Sequence, residues 1–167
     1  MAKAILKSLS AENFASFAEQ VVFTTEIDPS KKEHLDNTFG VEESRFNKVS
    51  FLYGANGSGK TFFCKILREI QRLLMFSPLT ATGSTEFLSL PQFKGLDAPV
   101  RPFAFGAEYQ NRPTFFGIDI VLDGITYHYE FGVQGKTVVS ELLTKKYRRT
   151  EKLLERTSPA HKDITLR

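Results

Sequence analysis

Hydrophobic positions along the chain follow two periods, and the places where one gives way to the other mark out the elements. Residues 5–14 and 21–27 read as two strands, with Val21, Phe23 and Thr25 alternating along one face and a tight connection across 13–20 joining them as an antiparallel pair. The stretch 28–47 is polar and has no clean period, carrying Pro29, Lys31, Lys32, Glu33, Asp36, Glu42 and Glu43, so it is expected to be a surface excursion. A short apolar run at 48–53 then predicts a buried strand. Over 61–76 the period lengthens. Phe63, Ile66, Leu67, Ile70, Leu73 and Leu74 recur at helical spacing, with Lys65, Arg68, Glu69, Gln71 and Arg72 opposite, which predicts an amphipathic helix. Pro78, Gly83, Pro91, Gly95, Pro99 and Pro102 make 77–102 a long loop.

From residue 103 alternation returns. The pair Asp123-Gly124 between runs 114–122 and 125–133 is the signature of a two-residue type I′ hairpin turn. Phe116, Ile118, Ile120 and Leu122 share one face, with Tyr127, Tyr129 and Phe131 placed to pack across from them. A further turn at 134–136 leads into 137–149, and 150–151 turns again into 152–157. In these last runs Leu143, Tyr147 and Leu154 fit a helix face as well as a strand. There are no internal repeats and no low-complexity tract.

A chain of 167 residues with 41% hydrophobic and 25% charged positions is sized for one globular domain, taken here as residues 1–167. No run approaches a membrane span, and Lys7 and Ser8 interrupt the N-terminal apolar stretch before a signal peptide could form, so a cytoplasmic location is expected. The single cysteine, Cys64, implies no intrachain disulfide and reads as a small packing residue. The net charge of +3 is unevenly placed. From Lys136 onward stand nine basic residues, Lys136, Lys145, Lys146, Arg148, Arg149, Lys152, Arg156, Lys162 and Arg167, against Glu141, Glu151, Glu155 and Asp163, a local balance of +5. Such a tail can meet nucleic-acid phosphates, but the interspersed acids and the lone aromatic Tyr147 fit a solvated face too.

The chemistry converges on Gly54-Ala55-Asn56-Gly57-Ser58-Gly59-Lys60-Thr61, which matches G-x-x-x-x-G-K-[ST], the phosphate-binding loop of nucleoside triphosphatases. Its glycines let successive backbone N–H groups turn inward toward phosphate oxygens, and the helix that follows offers its positive end to the same charge. Lys60 is assigned to the β- and γ-phosphates and Thr61 to Mg²⁺, with Phe62 closing the ligand-binding set. Strand, loop and helix in that order are the context the motif needs. Hydrolysis also needs an acidic residue at the end of a second strand, and none is found: the nearest, Asp119, falls mid-strand on the side away from the apolar face. Asn47-Lys48-Val49-Ser50 lacks the carboxylate of a guanine-reading motif, so adenine is preferred. His34, His128 and His161 are too widely spaced for a zinc site.

The chain resembles the N-terminal part of an ABC-type ATPase of the RecF/SMC-like superfamily, in particular the AAA-type ATPases of the OLD and abortive-infection group of phage-defence proteins. The residues that carry the likeness are Asn13-Phe14-Ala15-Ser16-Phe17 as the N-F-x-S-F motif, 51–61 as strand and loop, the helix 62–74 and the meander 113–156. The resemblance implies an α/β lobe of α+β type, the N-terminal half of an ATPase head with a P-loop nucleoside triphosphatase fold and an antiparallel β-meander. It implies ATP and Mg²⁺ as ligands, Lys60 as the catalytic residue, and a head that dimerises around nucleotide. It also implies that the signature motif, the acidic strand end and a switch histidine belong to a C-terminal lobe outside this chain, supplied by further sequence or a partner subunit. An effector nuclease is a further possible partner. Ala15 stands where many relatives place Arg or Lys, and neither Gln110 nor Gln134 is assignable as the glutamine that bridges metal and water. Two other uses of the loop stay open: a non-catalytic scaffold that docks an effector, and a small-molecule kinase.

Overall fold

The computed structural model describes residues 4–41, 44–81 and 98–157, with backbone alone over 76–81. Eight strands and one long helix are present among them: β1 Ala4–Glu12, β2 Val21–Thr24, β3 Thr38–Val41, β4 Ser44–Asn47, α1 Lys60–Ala81, β5 Thr114–Leu122, β6 Ile125–Gln134, β7 Thr137–Lys146 and β8 Thr150–Arg156. Six strands form one sheet in the order β2-β1-β5-β6-β7-β8, every neighbouring pair antiparallel, while β3 and β4 pair separately. This is an α+β arrangement, compatible with the expected P-loop fold.

The period-2 pattern sets the register. Phe23, Leu9, Ile118, Tyr129, Leu143 and Leu154 stand opposite one another in a row across all six strands. The next row runs Val21, Ala11, Phe116, Phe131, Glu141 and Arg156. A slip of one residue in any strand would carry its apolar set to the other face. The helix lays Ile66 and Ile70 on this surface, where they are buried with Leu9, Ala11, Phe14, Phe116, Phe131 and Val133. Phe116 is wholly buried between the rings of Phe14 and Phe131, at centroid distances of 5.2 and 5.6 Å. Burial of such a ring contributes about 1.5–3 kcal/mol.

The expected type I′ turn is present, with φ of 49° at Asp123 and 81° at Gly124. The ambiguous runs at 137–157 resolve as the strand pair β7 and β8, because Leu143 and Leu154 meet in the row described above rather than along one helix. On the far face, Asp119 accepts a hydrogen bond from the Ser8 hydroxyl at 2.6 Å and lies 2.6 Å from His128 Nδ1. That is the side away from the apolar surface, as the alternation predicted.

Four expectations are corrected. The polar stretch 28–47 is not a featureless excursion: it holds a short 3-10 turn, Leu35–Asn37, and the β3–β4 hairpin, organised by a fully buried Phe46 stacked on Phe39. Residues 48–53 do not form a strand. Val49, Phe51, Leu52 and Tyr53 are exposed, Phe51 and Tyr53 by 76% and 85%, because no strand of the sheet lies beside them. The helix continues through Pro78 to Ala81 instead of ending at 76, since a proline near a helix end removes only one backbone bond and the remaining turns persist. Cys64, expected as a packing residue, is exposed, because it sits on the helix flank turned away from the sheet that holds Ile66 and Ile70. Of the proposed loop 77–102, residues 82–97 lie outside the described residues, as do Glu42, Glu43, His161, Lys162, Asp163 and Arg167. No described helix is long and apolar enough to cross a membrane.

Candidate phosphate-binding site

The loop occupies the end of the sheet where β1 leaves and α1 begins. After the irregular segment 48–55 the chain turns at Asn56-Gly57, with Ser58 N–H donating to the Ala55 carbonyl at 3.2 Å, and enters the helix at Lys60. Gly57 and Gly59 hold φ of 82° and 91°, the left-handed region that side chains with a Cβ avoid. The first helical bond runs from Phe63 N–H to the Gly59 carbonyl at 2.8 Å. The N–H groups before it are the unsatisfied donors of a helix start, and the first turn carries no acidic residue to oppose an anion there.

Lys60 Nζ donates to the carbonyls of Gly54 and Ala55, both at 2.6 Å. The ammonium is thereby folded back over the loop, two of its three N–H donors engaged and a third left for an incoming oxygen. Thr61 is exposed on the first turn. Gly54, Ala55, Asn56, Gly57, Ser58, Gly59, Lys60 and Thr61 thus follow one another through the turn into the first turn of α1, whereas Phe62 turns toward the core, its ring 6.5 Å edge-on from Phe14. That position suits a packing role better than ligand contact.

The N-F-x-S-F motif braces this loop. Asn13 and Ala15 both adopt positive φ, 51° and 52°, forming a tight turn closed by paired bonds between Phe14 and Phe17. The turn sets the Phe17 ring against the loop so closely that a Cβ on Gly59 would sit 2.9 Å from two ring atoms. Asn13 is buried to 3% exposure. Its amide faces the carbonyls of Tyr109, Arg112 and Pro113 at 2.9–3.2 Å, and its oxygen accepts the Phe103 N–H at 3.0 Å. Ala15 holds the same segment through its backbone, to Arg101 and Ala104. Its side chain is buried, so it offers nothing to a nucleotide. The motif was legible, but its two jobs, bracing the loop and anchoring 101–113, were not. The only local hint was asparagine's tolerance of the left-handed region.

The features that suit a phosphate group are the positive-φ glycines, the acid-free helix start and the lysine folded back over the loop. Magnesium would find one protein oxygen at Thr61 and the rest on phosphates and water, because no three His, Cys, Asp or Glu side chains cluster among the described residues. The structure does not bring Asp119 to the loop, since it lies on the sheet face opposite α1. Gln110 and Gln134 donate to the carbonyls of Phe103 and Asn111, at 2.6 and 2.8 Å, and so serve the anchored segment.

A family model described as "AAA domain, putative AbiEii toxin, Type IV TA system" matches residues 49–165, more than two thirds of the chain and including the whole loop. No curated protein and no solved structure matches.

Proposed function

Because the chain belongs to this AAA domain family, a P-loop ATPase-like group whose members are nucleotide-binding modules, we propose that it binds ATP with Mg²⁺ as the phosphate-loop lobe of an ATPase head. The observation that carries this reading is the loop itself: Lys60 folded over two glycine-permitted turns at the start of α1. Backbone N–H groups from Gly57 to Lys60 bind and orient the phosphates, Lys60 neutralises the β- and γ-oxygens, and Thr61 holds the metal. The metal, when bound, supplies charge stabilisation at those oxygens. Adenine is taken as the base because no guanine-reading motif accompanies the loop.

The lobe works as part of a larger head of the ABC type. Support comes from 48–53, an apolar run of the kind that fills a strand covered on both faces, in which Val49, Phe51, Leu52 and Tyr53 here stand exposed. A second lobe or partner subunit supplies the strands and the acid that positions water, and two heads close around nucleotide. We place it in phage defence, in the cytoplasm and coupled to an effector such as a nuclease; of these, only the defence setting draws loose support from the family's toxin–antitoxin description.

Titration with a fluorescent ATP analogue in Mg²⁺, beside Lys60→Ala, tests the reading. Loss of a desolvated charge-assisted contact of about 1.5–3 kcal/mol weakens binding about 10- to 150-fold. Equal affinity of the two proteins would remove the phosphate-loop assignment. Steady-state turnover by the chain alone is expected to be absent.

A further inference from the structure

The net charge of the chain resides in a single hairpin tip. Residues 144–152 hold Lys145, Lys146, Arg148, Arg149 and Lys152 against Glu151, a balance of +4, so the remainder of this +3 chain is slightly acidic. Sequence alone spread the basic character over everything after Lys136. The structure divides it. Arg156 pairs with Glu141 at 2.7 Å, Lys152 with Glu155 at 2.5 Å and Lys145 with Glu151 at 3.0 Å. Lys146, the last residue of β7, and Arg148 and Arg149, in the turn that follows, have no such ion pair among the described residues and are exposed, although the charge of Lys146 is felt at Glu26. Between them Tyr147 is 66% exposed, with the Arg148 guanidinium 5.9 Å from its ring centre.

The tip also stands clear of other elements. The last pair of the ribbon is Lys146 with Thr150, so residues 147–149 project past the end of the sheet, beside the Asp123-Gly124 turn. Lys146 aligns through Thr126 and Val121 with Ile5, at the start of β1, whereas the phosphate loop lies at that strand's other end. Eight steps along a strand separate the two by about 27 Å. A ligand on the tip therefore leaves the loop free.

We propose that the β7–β8 tip is a docking point for duplex DNA, with Lys146, Arg148 and Arg149 on backbone phosphates. The contact is made by the tip alone, because β6 pairs β7 as far as Thr126–Lys146 and keeps the rest of the hairpin within the sheet. Three exposed cations within four residues match the close phosphate spacing of a duplex, and of the neighbouring acids Glu26 is paired with Lys7 and Glu151 with Lys145, which leaves the tip net positive. Sequence is not read, because the tip carries no amide side chain to pair with base edges and its arginines serve phosphates.

Anisotropy of a fluorescein-labelled 20-base-pair duplex, titrated with the whole chain at 50 and 200 mM salt, tests this. Three phosphate contacts predict a fall in affinity of about 40-fold between those concentrations. The variant Lys146→Ala/Arg148→Ala/Arg149→Ala is expected to lose binding at both, with its melting temperature little changed because these side chains are exposed and the one ring contact, Arg148 on Tyr147, lies at the surface. A charge-matched control, Lys31→Ala/Lys32→Ala/Lys65→Ala, is expected to bind within twofold of the parent. Absence of binding at 50 mM salt, equal losses in the two triple variants, or tighter binding to phosphatidylserine vesicles than to duplex would overturn the proposal. It stands apart from the nucleotide reading, since none of these outcomes depends on Lys60.

Discussion

Alanine at position 59 puts the geometry of the phosphate loop under direct strain, and position 57 supplies the comparison. Both glycines hold positive φ, 91° and 82°, so either substitution costs about 1–2 kcal/mol for placing a Cβ residue in the left-handed region. They differ in space. Nothing lies within 4 Å of a Cβ on Gly57, whereas one on Gly59 meets Phe17 Cε1 and Cζ at 2.9 Å and Ser16 Cβ at 3.5 Å. The ring is packed against the buried core, so making room for the Cβ adds an overpacking cost of about 1–3 kcal/mol. Gly59→Ala should therefore destabilise by about 2–5 kcal/mol, and Gly57→Ala by the first part alone. For a chain of this size each kcal/mol moves the melting temperature by about 2–4 °C, which a thermal scan resolves. Phe17→Leu in the Gly59→Ala background should recover about 1–2 kcal/mol through a favourable coupling in a double-mutant cycle. If Gly59→Ala melts no lower than Gly57→Ala, or if the Phe17 and Gly59 changes add independently, the ring does not brace the loop.

Asn13→Ala leaves the Phe103 N–H and the facing carbonyls of Tyr109, Arg112 and Pro113 without their partner, and is expected to cost about 2–4 kcal/mol in urea unfolding while loosening 101–113 in hydrogen exchange. Burial, followed by the Glu141 carboxylate that accepts its hydroxyl proton at 2.5 Å, pushes the Tyr129 phenol above its ordinary value. The unfolded chain then loses this proton first, so stability is unaffected below about pH 10, falls as pH rises beyond it, and falls less steeply in Tyr129→Phe. Burial pushes the Glu26 carboxyl up, but its bonds to Lys7 and Ser44, with the fields of Lys7 and Lys146, bring it below its ordinary value. Its contribution is present above about pH 4.5 and is lost on acidification, a loss that Glu26→Gln should remove from an acid titration.

Much of the candidate site was readable because its determinants are local. The glycine positions, Lys60 and Thr61 lie within eight consecutive residues, and the demand for positive φ and a helix start acts over the same span. The same holds for the Asp123-Gly124 turn, where two adjacent residues fix the hairpin, and for β5 and β6, whose alternation follows from one buried face. What a local pattern could not reveal was which runs find partners. The six residues 48–53 look like β2 or β4 in composition, yet a strand is defined by its neighbour, and none of the sheet's strands reaches them. Conversely, the polar stretch 28–47 folded around Phe46, a single side chain whose burial depends on what stands over it.

The sequence by itself determined the glycine turn with its helix start and the antiparallel meander, because turn chemistry and side-chain period are written within ten residues or so. Only the tertiary structure decided that Phe17 presses on Gly59, that Asn13 ties segments ninety or more positions apart, and that Lys146, Arg148 and Arg149 stand exposed at one tip without an ion pair among the described residues. Those facts depend on distances between residues that the chain order separates, and such distances exist only once the strands have found their register.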